Sequence, residues 1–287
     1  MNKTYEKITN RIIEELEKGN IPWKKPWKGS SEYPKNLISG KTYSGINFFM
    51  LSMSHYESNY FLTFNQAKSI SGNVKKGEKG FPVIYYGKAK GKEKENGETE
   101  KGYSFLKSYT VFNVEQCENL DHTRIEEAKT FEPLDFNPIE EAENIINGYI
   151  GKPEITFKEN QAFYRPLTDS INMPKKENFN NVSGYYSTLF HEMTHSTGHK
   201  KRLARPEITE RNYFGSNDYS KEELTAELGS AFLCSQSGID NTLENSVSYL
   251  QSWLKVLKSK DNAKWIIEAS SKAQKAVNYI NGNLKKD

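Results

Sequence analysis

The spacing of hydrophobic positions in the first half of the chain predicts a mixture of helices and strands. Residues 3–19 repeat isoleucine and leucine at helical spacing and end at a glycine, which predicts an opening helix. Further elements follow in the order helix, strand, short helix opened by Asn65, and paired strands, over residues 43–56, 59–64, 65–71, 82–86 and 103–114. The segment between the paired strands is almost wholly charged or glycine, which is typical of an exposed hairpin tip.

The second half begins after a stretch without periodicity at 118–136, which we interpret as a linker between two domains at 1–125 and 126–287. The pattern then predicts a helix, two short strands, an edge strand and four further helices, over residues 139–150, 154–157, 162–165, 167–174, 183–199, 221–238 and, as a pair, 247–283. The predicted fold class is therefore α+β, with a small sheet in the first domain and short strands with flanking helices in the second.

Composition and charge narrow the class of protein. The 287 residues are only 35% hydrophobic but include 36 aromatic side chains, enough for a folded core under a polar surface. The N-terminal segment is too charged for a signal peptide, and no window is long and apolar enough to span a membrane, so we expect a cytoplasmic protein without a membrane partner. Cys117 and Cys234 lie far apart and form no CxxC pair, so each is expected to be a buried thiol.

Charge is divided unevenly between the two halves. Residues 1–125 hold 20 Lys and Arg against 14 Asp and Glu, a net charge of +6, whereas the remainder has a net charge of −3. A basic half suits an anionic partner such as nucleic acid, although a solvated surface of lysine and glutamate has the same composition.

The segment HEMTH, from His191 to His195, has the spacing of a metal site. On a helix, two histidines four residues apart project from one face about one turn apart, as two imidazoles must to share one ion. Glu192 lies beside the first histidine, where a carboxylate can act as general base for a water on a catalytic zinc. We therefore predict that His191 and His195 bind a metal and that Glu192 is catalytic, in a zinc-dependent hydrolase of the zincin type.

Two histidines leave such a site incomplete, so a later helix must supply a third protein ligand. Glu223 is the predicted ligand, because its i, i+4 spacing to Glu227 places both on one helical face, and Glu227 is then predicted to accept a histidine N–H behind the ligands. Glu222 points about 100° away and is a weaker candidate. His199 is the rival ligand, but it lies too close to the motif for the HExxHxxGxxH spacing.

The metal and the substrate can be predicted only by class. Two histidines and one glutamate favour Zn²⁺, with Mn²⁺ or Co²⁺ as alternatives. Four tyrosines are possible oxyanion donors, although aromatic residues beside a core helix are more often packing: Tyr185, Tyr186, Tyr213 and Tyr219. The edge strand predicted at 167–174 could align an extended peptide alongside the site by main-chain hydrogen bonds.

Both halves of the chain resemble ArdC-type antirestriction proteins. In the first half the resemblance rests on IPWKKPW, KTYSGINFFML, FLTFNQAKSISGNVKKGEKG and VIYYGKA, and in the second on AFYRPLTDSINMP, YYSTLFHEMTHSTGHKKRLAR and EELTAELGSAFL. The resemblance implies an N-terminal single-stranded-DNA-binding domain fused to a C-terminal zincin-like metallopeptidase domain. It also implies a protein of a mobile genetic element that protects incoming DNA from host restriction. Within the family pattern a Trp is common where this chain has Phe61 or Leu62, which weakens base stacking at that position.

The implied DNA-binding half contains lysines that suit phosphates and aromatic rings that suit bases. The candidate DNA-binding residues are Trp23, Lys24, Lys25, Trp27, Lys28, Lys41, Tyr43, Lys75, Lys76 and Lys79. Phe64 and Tyr85 are additional stacking candidates, and the two tryptophans between lysines are the strongest.

Three functions are open on sequence alone. The first is a DNA-binding antirestriction protein with a competent zinc metallopeptidase, whose protein substrate is a restriction enzyme or a regulator. The second is a DNA-binding module whose zinc site is structural or vestigial. The third is a zincin peptidase that cleaves a regulatory protein and does not need residues 1–125.

Overall fold

A computed structural model describes the chain over residues 3–21, 33–54, 56–89, 103–120, 137–210, 217–239, 247–259 and 264–283. Its helices are α1 (Lys3–Glu17), α2 (Ile46–Ser52), α3 (Phe64–Ser69), α4 (Pro138–Gly148), α5 (Val182–Ser196), α6 (Pro206–Thr209), α7 (Asn217–Ser237), α8 (Val247–Lys258) and α9 (Trp265–Ile280). Its strands are β1 (Lys35–Asn36), β2 (Tyr60–Thr63), β3 (Asn73–Val74), β4 (Phe81–Ala89), β5 (Tyr103–Asn113), β6 (Cys117–Glu118), β7 (Glu154–Thr156), β8 (Phe163–Arg165) and β9 (Ser170–Asn172). This mixture confirms the predicted α+β fold class. Within the described segments, no helix is both long and apolar enough to cross a membrane.

The first sheet has the strand order β1-β2-β5-β4 and contains the predicted hairpin. β4 and β5 are antiparallel over their full length, from Phe81 opposite Val111 to Ala89 opposite Tyr103. β2 pairs with β5 only from Phe61 to Thr63, so most of β5 extends beyond β2. The short helix after β2 is capped by Thr63 and Gln66 in a capping box rather than opened by Asn65, because Thr63 ends the strand with its hydroxyl free to accept from Gln66 N.

The second sheet corrects one prediction. Its order is β7-β9-β8, with β9 parallel to β7 and antiparallel to β8. The segment predicted at 167–174 as an edge strand is therefore the central strand, and both of its edges are already paired. The physical reason is the parallel β7–β9 pairing, which is non-local and leaves no trace in the spacing of either strand. The outer antiparallel strand is β8, which lies against α5.

One hydrophobic core joins elements from both predicted domains. Buried residues of α1 and α2, including Ile8 and Ile12, belong to the same cluster as buried residues of α5, α7 and α9. The ring centroids of Phe49 on α2 and Phe232 on α7 lie 4.7 Å apart, and Tyr33 Oη donates to the Phe232 carbonyl at 3.2 Å. The domain boundary at residue 125 stays a prediction, but a fragment of residues 1–125 would expose the buried faces of α1 and α2. Cys117 and Cys234 are both buried free thiols, as expected.

Helices α5 and α7 approach each other closely in this core. A Cβ added to Gly229 of α7 would lie 2.5 Å from Cγ2 and 2.6 Å from Oγ1 of Thr194 on α5. Beside it, Ser230 Oγ donates to the Ser187 carbonyl of α5 at 2.7 Å. The glycine therefore sets the distance between the two helices that carry the HExxH motif and the predicted third ligand.

We predict that Gly229→Ala lowers the free energy of unfolding by about 1–3 kcal/mol, because the added methyl overpacks the α5–α7 contact. The matched control is Gly148→Ala, since an added Cβ at the end of α4 meets nothing within 4 Å. Gly148→Ala should leave stability unchanged or slightly raised. Thermal or denaturant unfolding checks both variants, and equal stability of the two would contradict a close α5–α7 contact at Gly229.

Candidate metal centre

Helix α5 presents the two histidines on one face. The helix begins after Asn181, whose side chain accepts from Gly184 N at 2.7 Å, and it continues through His195 to Ser196. The Nε2 atoms of His191 and His195 lie 3.0 Å apart, and the side chain of His191 is 14% exposed. The Nε2 atoms of the two histidines therefore point to one place, which lies at the edge of the hydrophobic core.

Helix α7 brings Glu223 to the same place. Glu223 Oε2 lies 3.5 Å from His191 Nε2, and Oε1 lies 3.6 Å from His195 Nε2. Donor atoms of these three residues all lie within 4.8 Å of one another, and over the described ranges no other set of three or more His, Cys, Asp or Glu does so. Two imidazoles and a carboxylate are the ligand types of a catalytic zinc site, so the donor set fits a divalent transition metal. His199, the rival, lies outside this set.

The charges around the three ligands favour a cation. Burial opposes protonation of His191, but its hydrogen bond to Glu223 and the carboxylates of Glu192, Glu227 and Glu223 raise the pKa of His191 to about 9. Burial likewise opposes ionisation of Glu223, yet the two histidines and Tyr219 lower its pKa to about 2. In the protein without metal, the site therefore holds a proton on an imidazole against a cluster of negative charge. A metal cation bound in place of this proton would be stabilised by the same carboxylates.

A carboxylate also lies behind His195, and it is Glu222. Its Oε1 atom is 3.1 Å from His195 Nδ1, so a neutral His195 that donates from Nδ1 keeps Nε2 as a lone-pair donor for the metal. Burial opposes ionisation of Glu222, which is 3% exposed, but the guanidinium of Arg205 and the hydrogen bond from His195 keep its pKa below the usual range.

This arrangement adds Glu222 to the carboxylates that the sequence predicts behind the histidines. Glu227 was expected to accept a histidine N–H, but for His195 that acceptor is Glu222, whose 100° offset from Glu223 lets it reach the far side of the ring. Glu227 is 8% exposed, and its charge raises the pKa of His191. The Nδ1 atom of His191 makes no hydrogen bond within the described residues. A role for Glu227 behind His191 stays a prediction.

Arg205 holds Glu222 in place. Its Nε donates to Glu222 Oε2 at 2.9 Å and its Nη2 donates to Oε1 at 2.6 Å, which is a bidentate pair. The same guanidinium donates to Thr197 Oγ1 and to the Thr194 carbonyl in the last turn of α5. Arg205 thus links the end of the HExxH helix to the carboxylate behind its second histidine.

The turn after α5 makes this link possible. Arg205 N donates to the Gly198 carbonyl at 3.0 Å, so the chain folds back beneath the helix end. A Cβ on Gly198 would lie 2.6 Å from Ile208 and 3.0 Å from Arg205 Nη2. The absence of a side chain at Gly198 therefore leaves space for the guanidinium.

His199 belongs to a separate cluster at the same helix end. Its Nδ1 lies 3.6 Å from Asp169 Oδ2, and Asp169 forms a bidentate ion pair with Arg202. Tyr164 Oη donates to Asp169 at 2.9 Å, and Arg202 Nε donates to the Ser196 carbonyl at 2.7 Å. This cluster fastens the β8–β9 turn to the end of α5, which explains a histidine here without a metal.

Glu192 and Tyr219 adjoin the three ligands. Glu192 is 7% exposed, and its charge acts on both His191 and Tyr219. Burial raises the pKa of Tyr219 to about 12, together with the charge of Glu223 and a hydrogen bond to it. Of the three tyrosines considered that the structure describes, Tyr219 is therefore the one that lies beside the predicted ligands.

The other three tyrosines differ in position. Tyr186 Oη donates to Glu143 at 2.6 Å, and the ring of Tyr185 packs edge-on against Phe179, with centroids 5.4 Å apart. Both belong to the packing of α5. Tyr213 lies outside the described residues.

The candidate DNA-binding residues are only partly within the described chain. Trp23, Lys24, Lys25, Trp27 and Lys28 lie outside it. Tyr43 is half-buried, since its hydroxyl accepts from Asn36 at 3.2 Å and its ring packs edge-on against Phe61. Exposed lysines are Lys41, Lys75, Lys76 and Lys79, of which the last three share the turn between β3 and β4. Lys75 Nζ donates to the Glu115 carbonyl at 2.9 Å.

Sequence families match the two halves separately. Residues 140–272 match a zincin-like metallopeptidase family, and residues 2–112 match the N-terminal domain of the anti-restriction factor ArdC. The second half of the chain is thus a zincin-like domain. The helix with both histidines and the helix with Glu223 lie within it.

Whole-chain comparisons place both halves in one family. A crystal structure of the antirestriction ArdC protein from the R388 plasmid, free of metal, has a TM-score of 0.75 and 35% identity over 97% of both chains. A Mn(II)-bound structure of that ArdC protein has the same TM-score and coverage at 36% identity. The protein belongs to the ArdC antirestriction family.

Curated relatives extend this similarity. The uncharacterized protein y4eC of Sinorhizobium fredii is 31% identical over 96% of this chain and 91% of its own length. Two Escherichia coli proteins named DNA primase TraC are each 32% identical over 96% of this chain. This chain spans only 20% and 27% of their lengths.

We predict that Glu222→Gln lowers metal affinity about 10- to 100-fold, because it weakens the carboxylate that orients His195. The matched control is Glu15→Gln, an equally buried carboxylate of α1 that accepts from Lys18 at 2.8 Å and from Asn20 at 2.9 Å. Both variants weaken an ion pair made by a buried carboxylate and should unfold at lower temperature. Competition with a chromophoric chelator checks the affinities, and an unchanged affinity for Glu222→Gln would refute the positioning role.

Proposed function

We propose that this protein binds single-stranded DNA, that it protects incoming DNA of a mobile genetic element from restriction, and that its metal centre hydrolyses peptide bonds. The observation that carries the proposal is the convergence of His191, His195 and Glu223, with Glu192 beside them, in a member of the ArdC family. Peptide hydrolysis is supported by the match of this half to zincin-like metallopeptidases.

We propose zinc as the metal, on the chemistry of two imidazoles and one carboxylate. The Mn(II)-bound structure of the R388 ArdC protein makes manganese the strongest alternative, and cobalt would suit the same ligands. When bound, the metal would polarise the scissile carbonyl and lower the pKa of a water.

The chain's own residues supply the remaining chemistry. Glu192 would accept the proton of the attacking water and return it to the leaving amine. Tyr219 Oη, which binds Glu223 and has a raised pKa, would remain protonated and could donate to the developing oxyanion. An extended peptide would pair with the outer strand β8, because β9 already has two partners.

We predict that Glu192→Gln lowers peptidase activity by about 10²- to 10⁴-fold while metal affinity changes little, because the amide cannot accept the proton. Cleavage of a quenched fluorescent peptide library by the metal-loaded full chain gives the rate. The control is Glu177→Gln, an exposed glutamate in the turn before α5, and it should match the unmodified protein. Retained cleavage by Glu192→Gln would refute Glu192 as the base.

The same variant separates the competing functions. Restriction protection that survives Glu192→Gln would favour a DNA-binding module whose metal is structural. A third outcome is that expression of this protein removes one specific protein from the cell while protection does not depend on DNA binding. That outcome would favour a peptidase that cleaves a regulator. Deletion of residues 1–125 cannot make this distinction, because α1 and α2 belong to the core around the metal centre.

DNA binding is proposed from the family and from the charge of the first half. Lys76 and Lys79 are exposed in the turn between β3 and β4 and can approach phosphates. The turn is held close to β5, since a Cβ on Gly80 would lie 2.7 Å from the Val111 carbonyl. The backbone beside Lys79 therefore lies against the sheet.

We predict that the full chain binds single-stranded DNA more tightly than duplex DNA of equal length, with an affinity that falls as salt rises. Each neutralised phosphate contributes about −0.7 to the slope of log K against log salt. The double variant Lys76→Ala/Lys79→Ala should therefore reduce the slope by about 1.4. Fluorescence anisotropy with oligo-dT at two or more salt concentrations measures it.

The control for this titration is Lys200→Ala/Lys201→Ala, two exposed lysines after α5. It removes the same charge from the other half and should leave the slope unchanged. Equal and weak affinity of the unmodified protein for single-stranded and duplex DNA would contradict the proposed DNA function.

A further inference from the structure

One face of the β4–β5 hairpin is buried at one end and bare at the other. In an antiparallel pair, residues directly opposite each other point to the same face, and alternate residues along each strand share that face. Val83 and Val111 lie on this face and are buried against Leu51 and Phe61. Further along the hairpin the same face carries Tyr109, Tyr85, Lys107 and Phe105.

This bare end, which we call the hairpin strip, consists of Tyr85, Phe105, Lys107 and Tyr109. Tyr85 is 57% exposed and Tyr109 is 45% exposed, which is unusual for such large rings on neighbouring strands of one sheet. The register places Tyr85 opposite Lys107 and Tyr109 opposite Val83. Two exposed rings therefore project from adjacent strands, with a lysine beside one of them.

The ring of Phe105 on β5 reaches across to β4 and lies beside the ring of Tyr85. Gly87 lies opposite Phe105, and a Cβ at Gly87 would lie 2.4 Å from the Phe105 ring. The missing side chain lets Phe105 lie over β4, with its centroid 6.2 Å from that of Tyr85 and the planes tilted by 53°. Lys107 Nζ lies 5.2 Å from the same ring. Phe105 thus supports the strip, while Tyr85 and Tyr109 present open ring surface.

The charge of the hairpin suits an anion. β4 and β5 contain two lysines and no Asp or Glu. The lysine turn comes immediately before β4, and a Cβ on Gly80 would lie 2.5 Å from Thr110, the residue next to Tyr109. Lys79 therefore lies beside the buried end of this face, whereas Lys107 lies within the hairpin strip.

We propose that the hairpin strip is a base-stacking site for single-stranded DNA, with Tyr85 and Tyr109 as stacking residues and Lys107 as a phosphate contact. The inference rests on the proposed DNA function and assigns it a surface. Aromatic side chains on an open sheet face stack unpaired bases, and neighbouring lysines neutralise the backbone. Paired bases of a duplex are stacked on each other and cannot lie against these rings, so the strip selects single strands.

The test uses the full chain and oligo-dT. Tyr85→Ala/Tyr109→Ala should weaken binding by about 5- to 100-fold, and Tyr85→Phe should bind as the unmodified protein does because it keeps the ring. Lys107→Ala should lower the salt slope by about 0.7. The matched control is Phe157→Ala, which removes another ring that is 49% exposed, from the opposite half of the chain.

The outcomes separate the site from the function. Tight binding by the unmodified protein, weakened in the double variant but not in Phe157→Ala, supports the hairpin strip. Unchanged binding in the double variant overturns the strip while the proposed DNA function stands, and failure of the unmodified protein to bind oligo-dT overturns both. Circular dichroism and thermal melting confirm that each variant is folded. If the double variant binds DNA normally but sediments differently from the unmodified protein in the absence of DNA, the hairpin strip is a contact between two copies of the chain.

Discussion

The proposed metal centre depends on the close packing of α5 against α7. Neither helix has a complete site: α5 supplies His191, Glu192 and His195, whereas α7 supplies Glu223. Thr194 of α5 occupies the space that a side chain at Gly229 would need. Because the Nε2 atoms and the carboxylate must reach one ion, a small change in this separation would disperse the ligands.

Arg205 adds the second constraint by joining the end of α5 to Glu222 of α7. Its guanidinium pairs with the carboxylate behind His195 and also donates to a carbonyl in the last turn of the HExxH helix. The orientation of His195 and the termination of its helix are thus determined by one buried side chain. Removal of Glu222 would leave the charge of Arg205 uncompensated in the core. The ion pair that positions His195 therefore also contributes to the stability of the fold.

The two halves of the protein are joined physically as well as in sequence. Phe48 and Phe49 of α2 pack on Phe232 of α7, the helix that carries Glu223. α2 in turn holds the hairpin, because the Asn47 side chain exchanges two hydrogen bonds with the Ile84 backbone, at 2.7 and 2.8 Å. The surface that we propose for DNA and the helix that carries Glu223 are therefore connected through α2.

Local spacing predicted a large part of this arrangement. The i, i+4 histidines, Glu192 between them and Glu223 on a later helix could be read from residue spacing, since a helix puts such positions on one face. Glu222 could not, because its role depends on Arg205, seventeen residues away in the chain and next to it in space. The central position of β9 also escaped prediction, because parallel pairing with β7 is a long-range choice. The hairpin was predicted from sequence. Its exposed rings could not be, because they are those that lie beyond the contact of Leu51 and Phe61 with the hairpin.

The central claim is that His191, His195 and Glu223 bind one metal ion. Anomalous difference density from crystals of the full chain, measured just above and just below the zinc edge and again at the manganese edge, tests it most directly. The account predicts one strong peak within bonding distance of His191 Nε2, His195 Nε2 and a Glu223 oxygen, with Glu222 still on His195 Nδ1. A metal bound by other residues, or no peak after soaking with zinc and manganese, would contradict it.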